Sequence, residues 1–240
     1  MPAGYTIVAP CRRGGIGLES RLVAYAYPIF LDLSLRRILI VGGGAVASRK
    51  AKGLLAAGAV GIRAVAPRFV RDFPAQIQRT EAVYSPQHLD GADLVFAATD
   101  AAVVNDAVVA DARGRGALVQ RVESEDDDSG DFVVPALLRC GGISVAICAG
   151  SPALAAAVRD RLAGSIGDEW VNLADALRRL RPAIKTSGLP AERRRQILRA
   201  LATQDAAAAL AEGGTTALWA WARGKFADLP PFQPKAISTP

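Results

Sequence analysis

Three cysteines and one histidine are all that 240 residues offer of the side chains that most often hold metals or disulfides. Cys11, Cys140 and Cys148 are too few and too irregularly spaced for a disulfide framework or a thiolate metal site, which makes a reducing cytoplasm the expected compartment. Aromatic residues are scarce, at 6%, while alanine is abundant, which argues against a sandwich of strands with large side chains and for helices packed closely on a sheet. No uninterrupted apolar run could cross a bilayer, so no membrane partner is expected. Arginine clusters interleaved with aromatics are missing, as is zinc-finger spacing, so the 29 basic side chains against 23 acidic ones do not read as a nucleic-acid surface. The net charge of +6 instead favours the approach of a small anionic ligand. No apolar segment with a small-residue cleavage site follows Arg12 and Arg13, so residues 1–26 read as a loose extension.

What is present alternates between strand and helix. Arg37 to Val41 is a short β-branched run that ends in Gly42, Gly43 and Gly44, and Ala45 to Ala57 reads as a helix. Further strands are expected at Ile62 to Ala66, near Ala82 to Tyr84, at Asp93 to Ala98 and at Ala117 to Val122, with a helix over Val103 to Arg113. This is the grammar of an α/β protein with a Rossmann-type parallel sheet. From Asp131 the pattern changes to two strand-like segments, Phe132 to Leu138 and Ile143 to Ala149, and a helix over Pro152 to Leu162. Two strands and a helix bury little by themselves, so either they extend the first sheet or a second subunit completes them; a small α+β dimerisation region and a homodimer are the expectation. Amphipathic helices over Glu169 to Leu180 and Ala191 to Leu201, joined by a loop with Pro182, Gly188 and Pro190, form a helical C-terminal region. The expected divisions are 1–26, 27–134, 135–166, 167–212 and a tail over 213–240, whose last part is rich in proline and polar residues.

Gly42, Gly44 and Ala47 fit G-x-G-x-x-A between a strand and a helix, the context in which this pattern binds a dinucleotide. Gly42 permits the tight turn, Gly44 lets a pyrophosphate approach bare backbone, and Ala47 allows close helix-to-strand packing. Gly42, Gly43, Gly44, Ala45, Val46 and Ala47 are therefore the candidate cofactor-binding residues, with the helix N-terminus holding the negative charge. The alternative is a glycine turn that only joins strand to helix. The carboxylate that reads the ribose of NAD, about 20 residues past the first glycine, is absent. Arg63 and Arg68 flank that position and either could meet the 2′-phosphate of NADP, so these residues leave the choice between NAD and NADP open. His88 sits in a polar loop and reads as a surface side chain; no metal site is expected.

Taken in order, YPIFLDL at Tyr27 to Leu33, the glycine-turn segment Val41 to Ala59, FAATD at Phe96 to Asp100, DFVVPALL at Asp131 to Leu138 and SPALAAAVRDRL at Ser151 to Leu162 resemble the precorrin-2 dehydrogenase/sirohydrochlorin ferrochelatase family. The likeness is to a stand-alone N-terminal half of a siroheme synthase and covers Tyr27 to Asp205. It implies an NAD-binding Rossmann domain, a dimerisation region with exchanged elements, and the oxidation of precorrin-2, an anionic tetrapyrrole, to sirohydrochlorin. It also implies metal insertion as a second activity. The family carries an acid/base carboxylate after the fifth strand, and Glu123 stands at that position, its extra methylene moving the carboxylate outward by about 1 to 1.5 Å. The acidic loop Ser124 to Gly130 departs from the family and reads either as a solvated run or as carboxyls that raise one another's pKa. Thr99, Asp100 and Asn105 fall where the resemblance puts the nicotinamide or its ribose; the plain alternative is that Thr99 or Asp100 caps a helix. Ser151 similarly reads as a helix cap ahead of Pro152, or as a contact to a substrate carboxylate. The turn Cys148 to Ser151 is shorter than in the family, and with the altered loop this weakens the case for metal insertion. Two readings of other classes remain: a dinucleotide sensor without catalysis, and a tetrapyrrole-binding carrier or partner protein.

Overall fold

A computed structural model describes residues 27–122 and 130–231. The chain divides between Val134 and Pro135 into two units.

In the first unit the apolar run Arg37–Val41 forms β1, and Ala45–Ala56 forms α1. Then come β2 (Gly61–Ala66), β3 (Gln78–Glu81), a one-turn 3₁₀ helix at Pro86–Leu89, β4 (Leu94–Ala97), α2 (Ala102–Gly114) and β5 (Leu118–Arg121). All strand pairs are parallel, in the order β3-β2-β1-β4-β5. Successive residues of β1 serve opposite faces. Ile38 and Ile40 join α1 residues Ala47, Ala51 and Leu54 in one core, while Leu39 and Val41 join α2 residues Val108, Val109 and Ala112 in another. A strand buried on both faces needs a continuous apolar run, which is why RILIV shows no polar alternation. Connections leave β1 in one direction and β4 in the other, so a crevice opens at the carboxyl ends of these two strands.

The third strand lies earlier than the expected Ala82 to Tyr84. Pairing of Arg63 with Gln78 through Ala66 with Glu81 sets its register, and all four β3 residues are exposed. Ala82 and Tyr84 instead follow it and pack beside the α2-side core.

In the second unit β6 (Ala136–Cys140) and β7 (Ile143–Ile147) form an antiparallel hairpin closed by Gly141 and Gly142, and α3 (Pro152–Ala163) follows. Gly141 has φ +54°. The helices α4 (Asp168–Lys185), α5 (Ala191–Ala200) and α6 (Gln204–Lys225) enclose a core of Leu173, Leu180, Ile184, Ile197, Leu218 and Trp219, among others. Pro182, expected in a loop, lies inside α4, because Leu180 and Ile184, four residues apart and both fully buried, hold the apolar stripe in helical register across it. The tail expected from Gly213 is also corrected. Residues 213–225 belong to α6, bent where Gly214 takes φ +66°, and the chain beyond is tied down: Arg193 pairs with Asp228 through two 2.8 Å bonds and Trp219 Nε1 donates to the Pro230 carbonyl at 2.9 Å. Among the described residues no helix is long and apolar enough to cross a membrane. Cys140 and Cys148 are both free.

Candidate functional site

The turn between β1 and α1 is fixed by close backbone packing. Gly42 takes φ +135°, a conformation that side chains disfavour, and a Cβ there would stand 2.2 Å from the Ala98 carbonyl oxygen at the end of β4. A Cβ on Gly43 would stand 2.0 Å from the carbonyl oxygen of Arg68, beyond β2, and Val70 N–H donates to the Gly43 carbonyl at 2.8 Å. The first two glycines thus clamp the turn between the ends of β4 and β2. Gly44 is different: it is exposed, its backbone is extended, and a Cβ there would meet nothing within 4 Å.

Gly44 is also the N-cap of α1, with no side-chain cap and no acidic residue in the first turn. The leading N–H groups of a helix have no carbonyl partner within it and carry the positive end of its dipole. An open backbone at such an end is an anion site. Ala47 is fully buried against the sheet, and Ser48 beside it donates to the Asp72 carbonyl at 3.3 Å, so α1 sits close to β1. Ala45 is exposed and Val46 half-buried at the same helix end.

Across the crevice, Thr99 and Asn105 form one structural couple. Thr99 N–H donates to Asn105 Oδ1 at 3.1 Å, Asn105 Nδ2 returns a bond to the Thr99 carbonyl at 3.0 Å, and the Thr99 hydroxyl lies 2.8 Å from Oδ1. Asn105 is buried, and its amide shapes the loop leaving β4. Neither Thr99 nor Asp100 is the N-cap: α2 begins at Ala102 with Ala101 as cap, and Thr99 Oγ accepts from Ala101 N–H at 3.2 Å. Asp100 is exposed on this loop. The glycine turn and Thr99 do meet, since the Cβ position of Gly42 lies 3.3 Å from Thr99 N.

Glu123 and the acidic residues up to Asp128 lie outside the described residues. The chain on either side of them is anchored to β4 and β5. Val122 N–H donates to the Ala97 carbonyl at 2.9 Å, Asp131 N–H to the Val119 carbonyl at 2.7 Å, and the Asp131 carboxylate accepts from Val119 N–H at 3.0 Å and Arg113 at 2.9 Å. Among the described groups with a resolved shift, none moves towards neutrality. Asp72 and Asp93 are held below the usual carboxylate range by hydrogen bonds from Lys52 and from the Arg37 backbone, and burial followed by the Asp111 carboxylate drives the Tyr84 phenol upward.

Gln120 is a residue of β5. It is 8% exposed, lies opposite Phe96 in β4, and its Oε1 is buried without a hydrogen-bond partner among the described residues. A polar residue inside an otherwise apolar strand is the signal that could have singled it out. Leaving a buried acceptor unpaired costs about 1–3 kcal/mol, so Gln120→Met is expected to raise unfolding free energy by about 1 kcal/mol in urea titrations; a loss of stability would show that Oε1 is satisfied.

His88, expected on the surface, is half-buried and its Nδ1 accepts from Ser85 N–H at 3.0 Å, closing the 3₁₀ turn. Arg63 donates to the Asp90 carbonyl at 2.8 Å. In the second unit Ser151 caps α3, its Oγ accepting from Leu154 N–H at 3.2 Å ahead of Pro152. Among the described residues no group of three or more His, Cys, Asp or Glu side chains could hold a metal.

Residues 29–136 match a family described as putative NAD(P)-binding. The chain is 41% identical over 166 residues to a siroheme synthase of Chromobacterium violaceum and 37% identical over 177 residues to one of Nitrosomonas eutropha. These alignments take in 66% and 70% of this chain but 35% and 37% of those proteins, so the chain spans about a third of the curated relatives it matches. The fold is similar to the solved structure of SirC, precorrin-2 dehydrogenase, with a TM-score of 0.68 and 23% identity over 83% of this chain and all of that one.

Proposed function

We propose that this chain is a member of the precorrin-2 dehydrogenase/sirohydrochlorin ferrochelatase family, an NAD(P)-dependent oxidoreductase that oxidises precorrin-2 to sirohydrochlorin in siroheme biosynthesis, a reading supported by its likeness to siroheme synthases and to the fold of SirC. The observation that carries this reading is the open, uncapped start of α1 at Gly44, beside the point where the connections of the parallel sheet reverse direction. The residues present fit a dinucleotide: bare backbone and free helix N–H groups for its diphosphate, and a loop stiffened by the Thr99–Asn105 couple for the end that reaches β4. When bound, the nicotinamide supplies the hydride acceptor.

The protein's own part is placement and proton transfer. The crevice between the ends of β1 and β4 holds the macrocycle against the nucleotide, and Glu123 takes the proton that leaves as the hydride departs. The net charge of +6 draws the polyanion in. The hairpin and α3 contain one fully buried hydrophobic residue, Ala155, while Leu137, Leu154, Val158 and Leu162 stay exposed. A second copy of the chain covers them, giving a homodimer that works in the cytoplasm. Metal insertion into sirohydrochlorin is the weaker part of the reading, because the acidic loop and the turn Cys148 to Ser151 depart from the family.

Incubating the purified protein with precorrin-2 and NAD or NADP, and following sirohydrochlorin by absorbance, tests the central claim. Nucleotide binding without turnover would replace it with a sensor, and tetrapyrrole binding indifferent to nucleotide with a carrier. Adding cobaltous ion to sirohydrochlorin tests the second activity. Glu123→Gln should leave the thermal midpoint unchanged and lower kcat by about 100-fold, within the range that general bases contribute. An unaltered rate would remove Glu123 from the mechanism.

A further inference from the structure

We infer that the helices α4 and α5 carry a binding surface for a polycarboxylate with an apolar body, the chemistry of an anionic tetrapyrrole; the choice of tetrapyrrole as occupant rests on the function proposed above. Charge is spread unevenly along the sequence. Residues 176–200 hold eight of the chain's 29 basic side chains and one of its 23 acidic ones, Glu192. That local excess is larger than the net charge of +6 of the whole chain, so the attraction for an anion originates here and not in the remaining residues.

The fold of the second unit gathers this charge around a groove of about 520 Å³ between α4 and α5. Leu177, Pro182 and Leu198 give the groove apolar surface, and Arg178, Arg181 and Lys185 line it beside them. Leu177 and Leu198 are half-buried and pack against the helical core, which fixes the apolar part in place. The three cations recur three and four residues apart, so they share one face of α4 and span about 10 Å along it.

Some of the basic side chains are engaged within the protein. Arg178 pairs with Asp175 at 3.0 Å, Arg193 with Asp228 at 2.8 Å and Arg195 with Glu192, while Arg194 donates to the Leu189 carbonyl at 2.6 Å. Arg179, Arg181 and Lys185 are exposed and make no hydrogen bond or ion pair among the described residues. Like charges at these helical spacings repel one another, and a bound anion relieves the repulsion. A tetrapyrrole has carboxylates around the edge of a broad apolar ring system, so it meets both surfaces at once: the ring covers the leucines and the carboxylates take the guanidinium forks. Nucleic acid fits less well, because among the described residues no aromatic side chain lines the groove to stack a base.

The test uses uroporphyrin, a polycarboxylate porphyrin already fully oxidised, so that quenching of its fluorescence reads binding rather than turnover. The unaltered protein should show a salt-sensitive site that binds coproporphyrin, with fewer carboxylates, more weakly. Arg181→Glu combined with Lys185→Glu should weaken uroporphyrin at that site at least tenfold with an unchanged thermal midpoint, and Arg181→Gln with Lys185→Gln should weaken it less. Arg36→Glu with Arg79→Glu, an equal change of charge in the first unit, should leave it intact. An affinity that survives the α4 reversal, an equal loss from the reversal in the first unit, or a single-stranded oligodeoxythymidylate that binds this surface more tightly than uroporphyrin would each overturn the inference. Turnover of precorrin-2 is measured separately: turnover without groove-dependent porphyrin binding would remove this inference alone, and groove-dependent binding without turnover would uphold it while removing the enzyme.

Discussion

Gly42→Ala is expected to cost at least about 4 kcal/mol of unfolding free energy, a loss confined to a few mechanisms such as severe overpacking and backbone strain. Both operate here. The new methyl group would be 2.2 Å from the Ala98 carbonyl oxygen and 2.7 Å from its carbon, and these are backbone atoms that no rotamer change can move aside. Ala98 is held by its own N–H bond to the Val41 carbonyl at 2.8 Å, so relief would mean separating β1 from β4 in the middle of the sheet. A φ of +135° adds a backbone penalty of about 1–3 kcal/mol for any L side chain. Domains have only about 5–15 kcal/mol in hand, so the variant should be recovered in low soluble yield or with a denaturation midpoint far below that of the parent protein. An unfolding free energy within about 1 kcal/mol of the parent's would show that the turn relaxes easily.

Gly44→Asp should have the opposite character: normal folding with dinucleotide affinity reduced by about 100-fold or more, equivalent to about 2.7 kcal/mol. The backbone of Gly44 is extended and its Cβ position is empty, so a side chain enters without strain. Aspartate is also a favoured helix N-cap, and here it would accept from first-turn N–H groups that no side chain now satisfies. The substitution therefore fills the anion site with the protein's own carboxylate while adding a few tenths of a kcal/mol to helix stability. Calorimetric titration with NAD and NADP alongside thermal melts separates the two effects. Unchanged nucleotide affinity in a folded variant would mean that no diphosphate rests at this helix start.

Much of the fold was legible because burial on two faces writes itself into composition. The runs at Ile38 to Val41 and Leu94 to Ala97 announce central strands, and the glycines between strand and helix announce the crevice. What escaped was structure whose cause is not local hydrophobicity. The edge strand β3 consists of Gln78, Arg79, Thr80 and Glu81, and only its pairing with β2 makes it a strand. Pro182 signals a break, yet tertiary burial of Leu180 and Ile184 on either side carries the helix through it. Gly213 and Gly214 signal an end, yet they only bend α6, whose second half buries Leu218 and Trp219. At the site, Gly42 makes the turn, Gly44 leaves its backbone open, Ala47 packs against the sheet, and Gly43 is pressed against Arg68. The Asn105 amide is engaged by Thr99, a pairing that spacing alone does not disclose.

The polar character of β3 bears on how the protein behaves in a crowded solution. An open parallel sheet leaves a row of unpaired backbone donors and acceptors along its margin, a template on which a neighbouring molecule could lay its own chain and begin a growing stack. Arg79 and Glu81 place opposite charges along that margin, and stripping them of water would penalise any such addition. Colloidal safety is thus written into the one strand that hydrophobicity did not recruit.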